Sequence, residues 1–196
     1  MKKILAIAAL AFSTLGVSAQ HAVGSLTIQP KVGLSLADLT KADDSDLRVG
    51  AVFGAELEYQ MDDLVGISVG ALYSMQGAKG SETIEGVKAD ATIKLDYINV
   101  PIMANFYVAK NFAFKVGIQP GFNVSHKAKA EVSGMSAEAD IPGVKTLDFS
   151  IPLGLSYEYN NFVLDARYNI GLTNWMDDVK SKNSVIHITL GYKFDL

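Results

Sequence analysis

From Leu47 to Gln60 the chain alternates in two sets, and this run constrains the fold more than any other feature. Leu47, Val49, Ala51, Phe53, Ala55, Leu57 and Tyr59 are apolar, whereas Arg48, Gly50, Gly54, Glu56, Glu58 and Gln60 are charged, polar or small, with Val52 the one exception. Successive strand residues point to opposite faces, so the segment carries one apolar face and one polar face. At about 3.3 Å per residue the run reaches roughly 45 Å, well beyond the usual strand of a soluble sheet and long enough to cross a bilayer at a tilt. If enough other segments repeat the pattern, the polar faces must close around a lumen and the apolar faces must meet lipid.

The chain has 196 residues, and residues 1–19 read as a cleaved signal peptide. Met1-Lys2-Lys3 is a basic start, Ile4 to Phe12 is an apolar core, and Val17-Ser18-Ala19 offers the small residues a signal peptidase reads, so cleavage is expected before Gln20. The apolar core is too short for a spanning helix. Without Lys2 and Lys3 there remain 15 basic and 21 acidic residues, a net charge of −6 that argues against a nucleic-acid partner. The chain has no cysteine, which excludes disulfides, thiolate metal sites and an N-terminal lipid anchor on cysteine.

Residues 20–196 contain eight alternating segments. They begin at Leu26, Leu47, Leu64, Ile98, Phe112, Asp148, Phe162 and Ile186, with apolar sets such as Ile28/Val32/Leu34, Ile67/Val69/Ala71 and Phe114/Val116/Ile118. The later sets Ile151/Leu153/Leu155, Leu164/Ala166/Tyr168 and Ile186/Ile188/Leu190 continue the pattern. Connections after the second, fourth and sixth segments are tiny (Met61-Asp62-Asp63, Ala109-Lys110-Asn111, Asn160-Asn161), while the other four are long. Short turns at one end and long loops at the other predict an all-β fold: an eight-stranded antiparallel up-and-down transmembrane barrel with short periplasmic turns and long extracellular loops.

The polar faces hold Lys31, Arg48, Lys115, Arg167 and Lys193 against Glu56, Glu58, Asp148, Glu158 and Asp165. Five cations against five anions can pair, and unpaired buried charge is costly, so these residues predict an ion network that plugs the lumen. Tyr59, Phe106, Phe112, Tyr157, Tyr159, Phe162, Tyr192 and Phe194 lie near the short-turn ends, as expected of rings at a membrane interface. Tyr73, Phe122, Phe149 and Trp175 predict a thinner belt at the opposite level. Pro30, Pro101, Pro120 and Pro152 fall inside the segments and predict bulges. Ile93, Leu95 and Tyr97 sit on the opposite parity from Ile98, which predicts a further bulge, above which the third and fourth segments protrude as a hairpin.

Arg167-Tyr168-Asn169-Ile170-Gly171-Leu172-Thr173-Asn174 and the terminal Gly191-Tyr192-Lys193-Phe194 resemble the PorT-like outer-membrane β-barrel domain family. Tyr73-Ser74-Met75-Gln76-Gly77-Ala78-Lys79 and Tyr97-Ile98-Asn99-Val100-Pro101 resemble its middle motifs. The family commonly ends at the phenylalanine matched by Phe194, whereas this chain continues with Asp195-Leu196. The resemblance spans the chain after residue 19 and implies a small Gram-negative outer-membrane barrel, with barrel-assembly machinery as a biogenesis partner. A role in secretion assemblies is known for only some members, and barrel motifs alone do not carry it over.

Chemistry is sparse. Ser125-His126 is the one close Ser/His pair, but its members have opposite parity; His187 lies on an inward position and His21 precedes the barrel. Asp43-Asp44-Ser45-Asp46 and Asp177-Asp178 lack the glycine and distal glutamate of a calcium loop and read as solvated tips. No catalytic, cofactor or metal residue is assigned. The expectation is a non-catalytic scaffold or surface-interaction barrel in contact with outer-membrane lipid, with a surface or envelope partner reached through its long loops. An outer-membrane lipid-modifying enzyme and a soluble periplasmic ligand-binding barrel are the alternatives.

Overall fold

In a computed structural model of the chain, the described residues are 21–40, 45–84, 87–132, 135–177 and 179–196, with the backbone alone described for 82–84 and 87–88. The signal-peptide reading of residues 1–19 lies outside them. The strands are β1 (Leu26–Leu39), β2 (Ser45–Gln60), β3 (Val65–Ile84), β4 (Val87–Asn99), β5 (Ile102–Ala109) and β6 (Phe112–Val132). They continue with β7 (Met135–Asp140), β8 (Leu147–Tyr159), β9 (Phe162–Met176), β10 (Val179–Tyr192) and β11 (Phe194–Asp195).

Each neighbour pairs antiparallel with the next, and β10 returns to pair with β1 from Lys31↔Gly191 to Leu39↔Asn183. The eight-stranded ring therefore has no open edge through its wall. Its fourth position is filled by β4 and β5 in one register, separated only at Val100–Pro101. The turn between β8 and β9 is set by Asn160 and Asn161, both at positive φ, the geometry of a tight two-residue hairpin that asparagine tolerates.

The prolines produce lapses in one ladder without shifting its register, where simple bulges were expected. Pro30 faces the gap between the β1–β10 and β1–β11 pairings. At the β4/β5 interruption Pro120 lies opposite Val100, whose N–H its carbonyl accepts at 2.8 Å, and Pro101 lies one step further along. Pro152 lies where the β6–β8 pairing lapses between Leu153 and Ser150. A residue without an N–H costs least where the ladder is already open.

The wall is apolar outside and polar inside, the reverse of a soluble barrel. Val32, Leu34, Phe53, Leu164 and Leu190 are exposed, whereas Glu56, Lys115, Asp165 and Arg167 are at most 2% exposed. The expected bulge ahead of Ile98 is absent from β4, which keeps one register along β3 from Leu72↔Asn99 to Ile84↔Val87. The extra residue is Val124 in β6, between the Asp96↔Ser125 and Tyr97↔Asn123 pairs. Ile93, Leu95 and Tyr97 share the inward parity of Asn99 and point over the mouth of the barrel, where they pack with Leu39, Ala78 and Trp175. Trp175 is thus buried in this cap and does not form part of the outer belt.

Above the ring, the upper parts of β3, β4 and β6 continue as a sheet to which β7 adds a fourth strand, paired among the described residues with β6 alone. The segments expected as long loops after the third and fifth positions are largely strand, because the alternation of Gly80–Leu95 and Lys127–Ala139 is itself a pleated pattern.

Candidate functional site

Inside the ring, inward positions from opposite walls converge on two connected ionic layers. In the upper layer Lys31 Nζ donates to Glu56 at 2.8 Å, and Arg167 donates to Glu56 at 2.9 Å and to Asp165 at 3.3 Å. Lys115 Nζ lies 3.1 Å from Asp165. In the lower layer Lys193 Nζ stands 3.2 Å from both Glu58 and Glu158, and the Tyr107 hydroxyl donates to Glu58. Four cations face four carboxylates, so the layers are neutral together, the condition for holding so much charge out of water.

Two of the expected network residues lie elsewhere. Arg48 sits where the β2–β3 ladder shifts by one residue between Leu47 and Val52. Its guanidinium donates to the Gln76 carbonyl and, at 3.2 Å, to Asp96, which also accepts from the Tyr73 hydroxyl at 2.8 Å. The break in pairing draws Arg48 away from the central lumen. Asp148 is near the upper end and accepts from the Thr173 hydroxyl at 2.7 Å.

His21, which sequence order places before the barrel, closes the lower mouth. Its two ring nitrogens lie 3.0 Å from Glu158 and 2.9 Å from Asp195. The Glu158 carboxylate raises its pKa against the opposing effect of burial. No local motif marks this contact, since it joins residues 137 and 174 positions apart.

The interface residues Tyr59, Phe106, Tyr157, Tyr159, Phe162 and Phe194 are exposed on the outer wall, with Phe112 and Tyr192 half-buried. Phe162, Tyr192 and Phe194 form a continuous aromatic group, with centroids 5.0 and 4.7 Å apart. Phe53 and Tyr73 pack at 5.2 Å higher on the wall.

The Ser125–His126 pair forms no contact; His126 bonds instead to Asn123 at 2.9 Å. A different serine meets a histidine: Ser74 lies 2.9 Å from His187 Nε2, and Asn169 lies 3.2 Å from His187 Nδ1. Ser74 and His187 are at most 1% exposed, between the apolar cap and the ionic layers, so a lipid substrate has no route to them. The pair braces the lumen. Among the described residues no group of three or more His, Cys, Asp or Glu side chains is placed to hold a metal. Asp43, Asp44 and Asp178 fall outside the described residues, and Asp177 pairs with Lys145 at 2.7 Å.

The raised sheet has two unlike faces. On one, Ala91, Ala128, Ala130, Ala137 and Ala139 with Ile93 line a shallow groove of about 320 Å³. On the other, Glu138 accepts from Lys94 at 2.5 Å and pairs with Lys127 at 3.0 Å, and these ammonium groups hold its pKa down at about 2.

A closed ring with an apolar exterior, an ion-filled interior and aromatics at its short-turn end defines a small transmembrane β-barrel. The chain belongs to the outer membrane protein beta-barrel domain family, whose model matches residues 18–177. Its place is therefore the outer membrane. No curated protein matches it. Among solved structures it is similar to Ail, the attachment invasion locus protein of Yersinia pestis, crystallised with the heparin analogue sucrose octasulfate, at 17% identity and TM-score 0.48, over 88% of this chain and 100% of that one. It is also similar to Neisserial surface protein A at 15% identity and TM-score 0.49, over 87% and 97%. The N-terminal β-barrel domain of Pseudomonas aeruginosa OprF is similar at 12% identity and TM-score 0.40, over 89% and 100%.

Proposed function

We propose that this chain is a closed, non-catalytic outer-membrane barrel that serves as a scaffold for surface interactions. The observation that carries the reading is the sheet raised above the ring, which ends on the six-residue strand β7, paired on one side only among the described residues. An unpaired strand edge is a template for a partner's strand, and main-chain bonding there requires no pocket. The ionic layers and the apolar cap support a lumen that carries no current, which leaves the raised sheet as the working part. Residues 1–19 would be removed during export, and barrel-assembly machinery would insert the rest. Membership of a secretion or envelope assembly is compatible with this reading, but the barrel motifs do not by themselves select it.

A photo-crosslinking residue at position 136, on β7 of the full chain in intact cells, tests this. The expected result is a discrete protein adduct that a crosslinker at position 159, on the short-turn rim, does not give. Absence of an adduct from position 136, together with unchanged cell-surface phenotypes after deletion of Gly80–Ala91, would overturn the proposal.

A further inference from the structure

The geometry of β7 specifies what kind of strand it accepts. The Ile141 N–H donates to the His126 carbonyl at 3.0 Å, in register with Lys127↔Asp140. Bonded and non-bonded pairs alternate along an antiparallel ladder, so Met135, Ala137 and Ala139 turn their backbone groups toward β6. Ser136, Glu138 and Asp140 turn theirs outward, to a side on which no other strand pairs among the described residues. The same alternation sorts the side chains. Glu138 and Asp140 share the ionic face, and Ala137 and Ala139 share the face of the alanine groove.

Two complementarities follow. Glu138 turns both carboxylate oxygens inward to Lys94 and Lys127, which leaves Asp140, opposite Lys127, as the carboxylate of the outermost column toward the open side. A strand added there is favoured by a cation opposite Asp140. On the other face alanine offers no side chain beyond Cβ. Bulky apolar residues on the added strand can therefore lean over Ala137 and Ala139 toward Ala128 and Ala130 and fill the groove. Building on the function proposed above, we infer that the free edge of β7 captures an extended segment of a partner protein in which basic residues alternate with bulky apolar ones.

A second copy of this chain fits less well. Pairing β7 with itself about a two-fold axis brings the carboxylates of both copies together without a new cation. Stacking two alanine faces, each about 20 Å by 20 Å from four strands and six residues, buries roughly 800 Å² in total, below the 1,200 Å² or so of a stable interface.

The test uses the full chain in lipid nanodiscs and a fluorescent heptapeptide alternating lysine with valine and phenylalanine, read by anisotropy. Saturable binding is expected. Ser136→Pro, which removes an outward N–H and leaves the β6–β7 bonds intact, should weaken it by about tenfold or more. Asp140→Asn should weaken it about two- to fivefold. Replacing the peptide's valine and phenylalanine by alanine should also reduce binding. Equal binding of a peptide with glutamate in place of lysine would overturn the assigned chemistry while leaving edge capture, and hence the proposed function, standing. Binding of every strand peptide unaffected by Ser136→Pro would overturn the edge itself. Concentration-dependent dimerisation that the peptide does not compete would assign the edge to a second copy and overturn the inference.

Discussion

Glu56→Gln is the substitution that most directly probes the ionic layers. Glu56 is 2% exposed and is shared by two cations, Lys31 at 2.8 Å and Arg167 at 2.9 Å. At an effective dielectric near 20, each attracts it by roughly 6 kcal/mol. Most of that sum is offset by the cost of keeping three ions out of water, several kcal/mol apiece, and by the repulsion between Glu56 and Asp165. Glutamine keeps the shape and one acceptor oxygen but leaves four lumen cations against three carboxylates. The expected loss is about 3–5 kcal/mol, the cost of breaking a buried pair from one side. Adding Lys31→Met restores neutrality and should recover more than half of it. Urea unfolding in lipid vesicles, followed by tryptophan fluorescence and heat-modifiable gel mobility, measures both. A Glu56→Gln loss below about 1 kcal/mol, or a double variant no more stable than the single one, would refute the view that charge balance holds the lumen together.

Three further outcomes follow from other parts of the molecule. His21 lies outside the spanning strands and its pKa is raised on folding, so its grip on Glu158 contributes fully below about pH 6.5 and is lost as pH rises through the folded value. Protease access to the segment before Leu26 should therefore increase at alkaline pH, and His21→Ala should abolish that pH dependence. Gly77 combines a φ of +115° with an ideal Cβ only 2.1 Å from the Ile93 carbonyl oxygen, so Gly77→Ala should cost about 1–3 kcal/mol locally. Hydrogen exchange should accelerate at Ala78–Ser81 and stay unchanged in β8–β9. Leu95→Ala, which hollows the apolar cap, should cost about 2–4 kcal/mol yet leave planar bilayers non-conducting, because the ionic layers still fill the lumen; an open-channel current would show that the cap alone seals the barrel.

The ring was legible because its signal is local. Period-two alternation assigns each face of a strand without knowledge of its neighbours, and Asn160-Asn161 marks its own turn. The cap was not, because Ile93, Leu95 and Tyr97 put apolar side chains on the inward parity, which reads in the sequence as a slip of phase and becomes a lid only at the height of the mouth. Tyr97 and Trp175, 78 residues apart, pack in one cluster although the sequence places one in a loop and the other in a belt. Arg48 shows the limit of parity: it alternates correctly, but a one-residue shift against β3 redirects it. His21 needed the closed ring before its partners could be known, and Ser74 met His187 for the same reason.

The pairing of β1 with β10 carries a consequence for biogenesis. Apart from the short β1–β11 continuation of the same seam, every other pairing in the wall joins strands that follow one another, or nearly so, along the chain, whereas this seam joins residues about 150 positions apart. Until the last strand arrives, two ladders of backbone groups stand open, and in lipid each unsatisfied group costs several kcal/mol. No shorter barrel is available along the way. The intermediate must therefore be sheltered from the bilayer, and the membrane receives the wall only once its final strand has docked on its first.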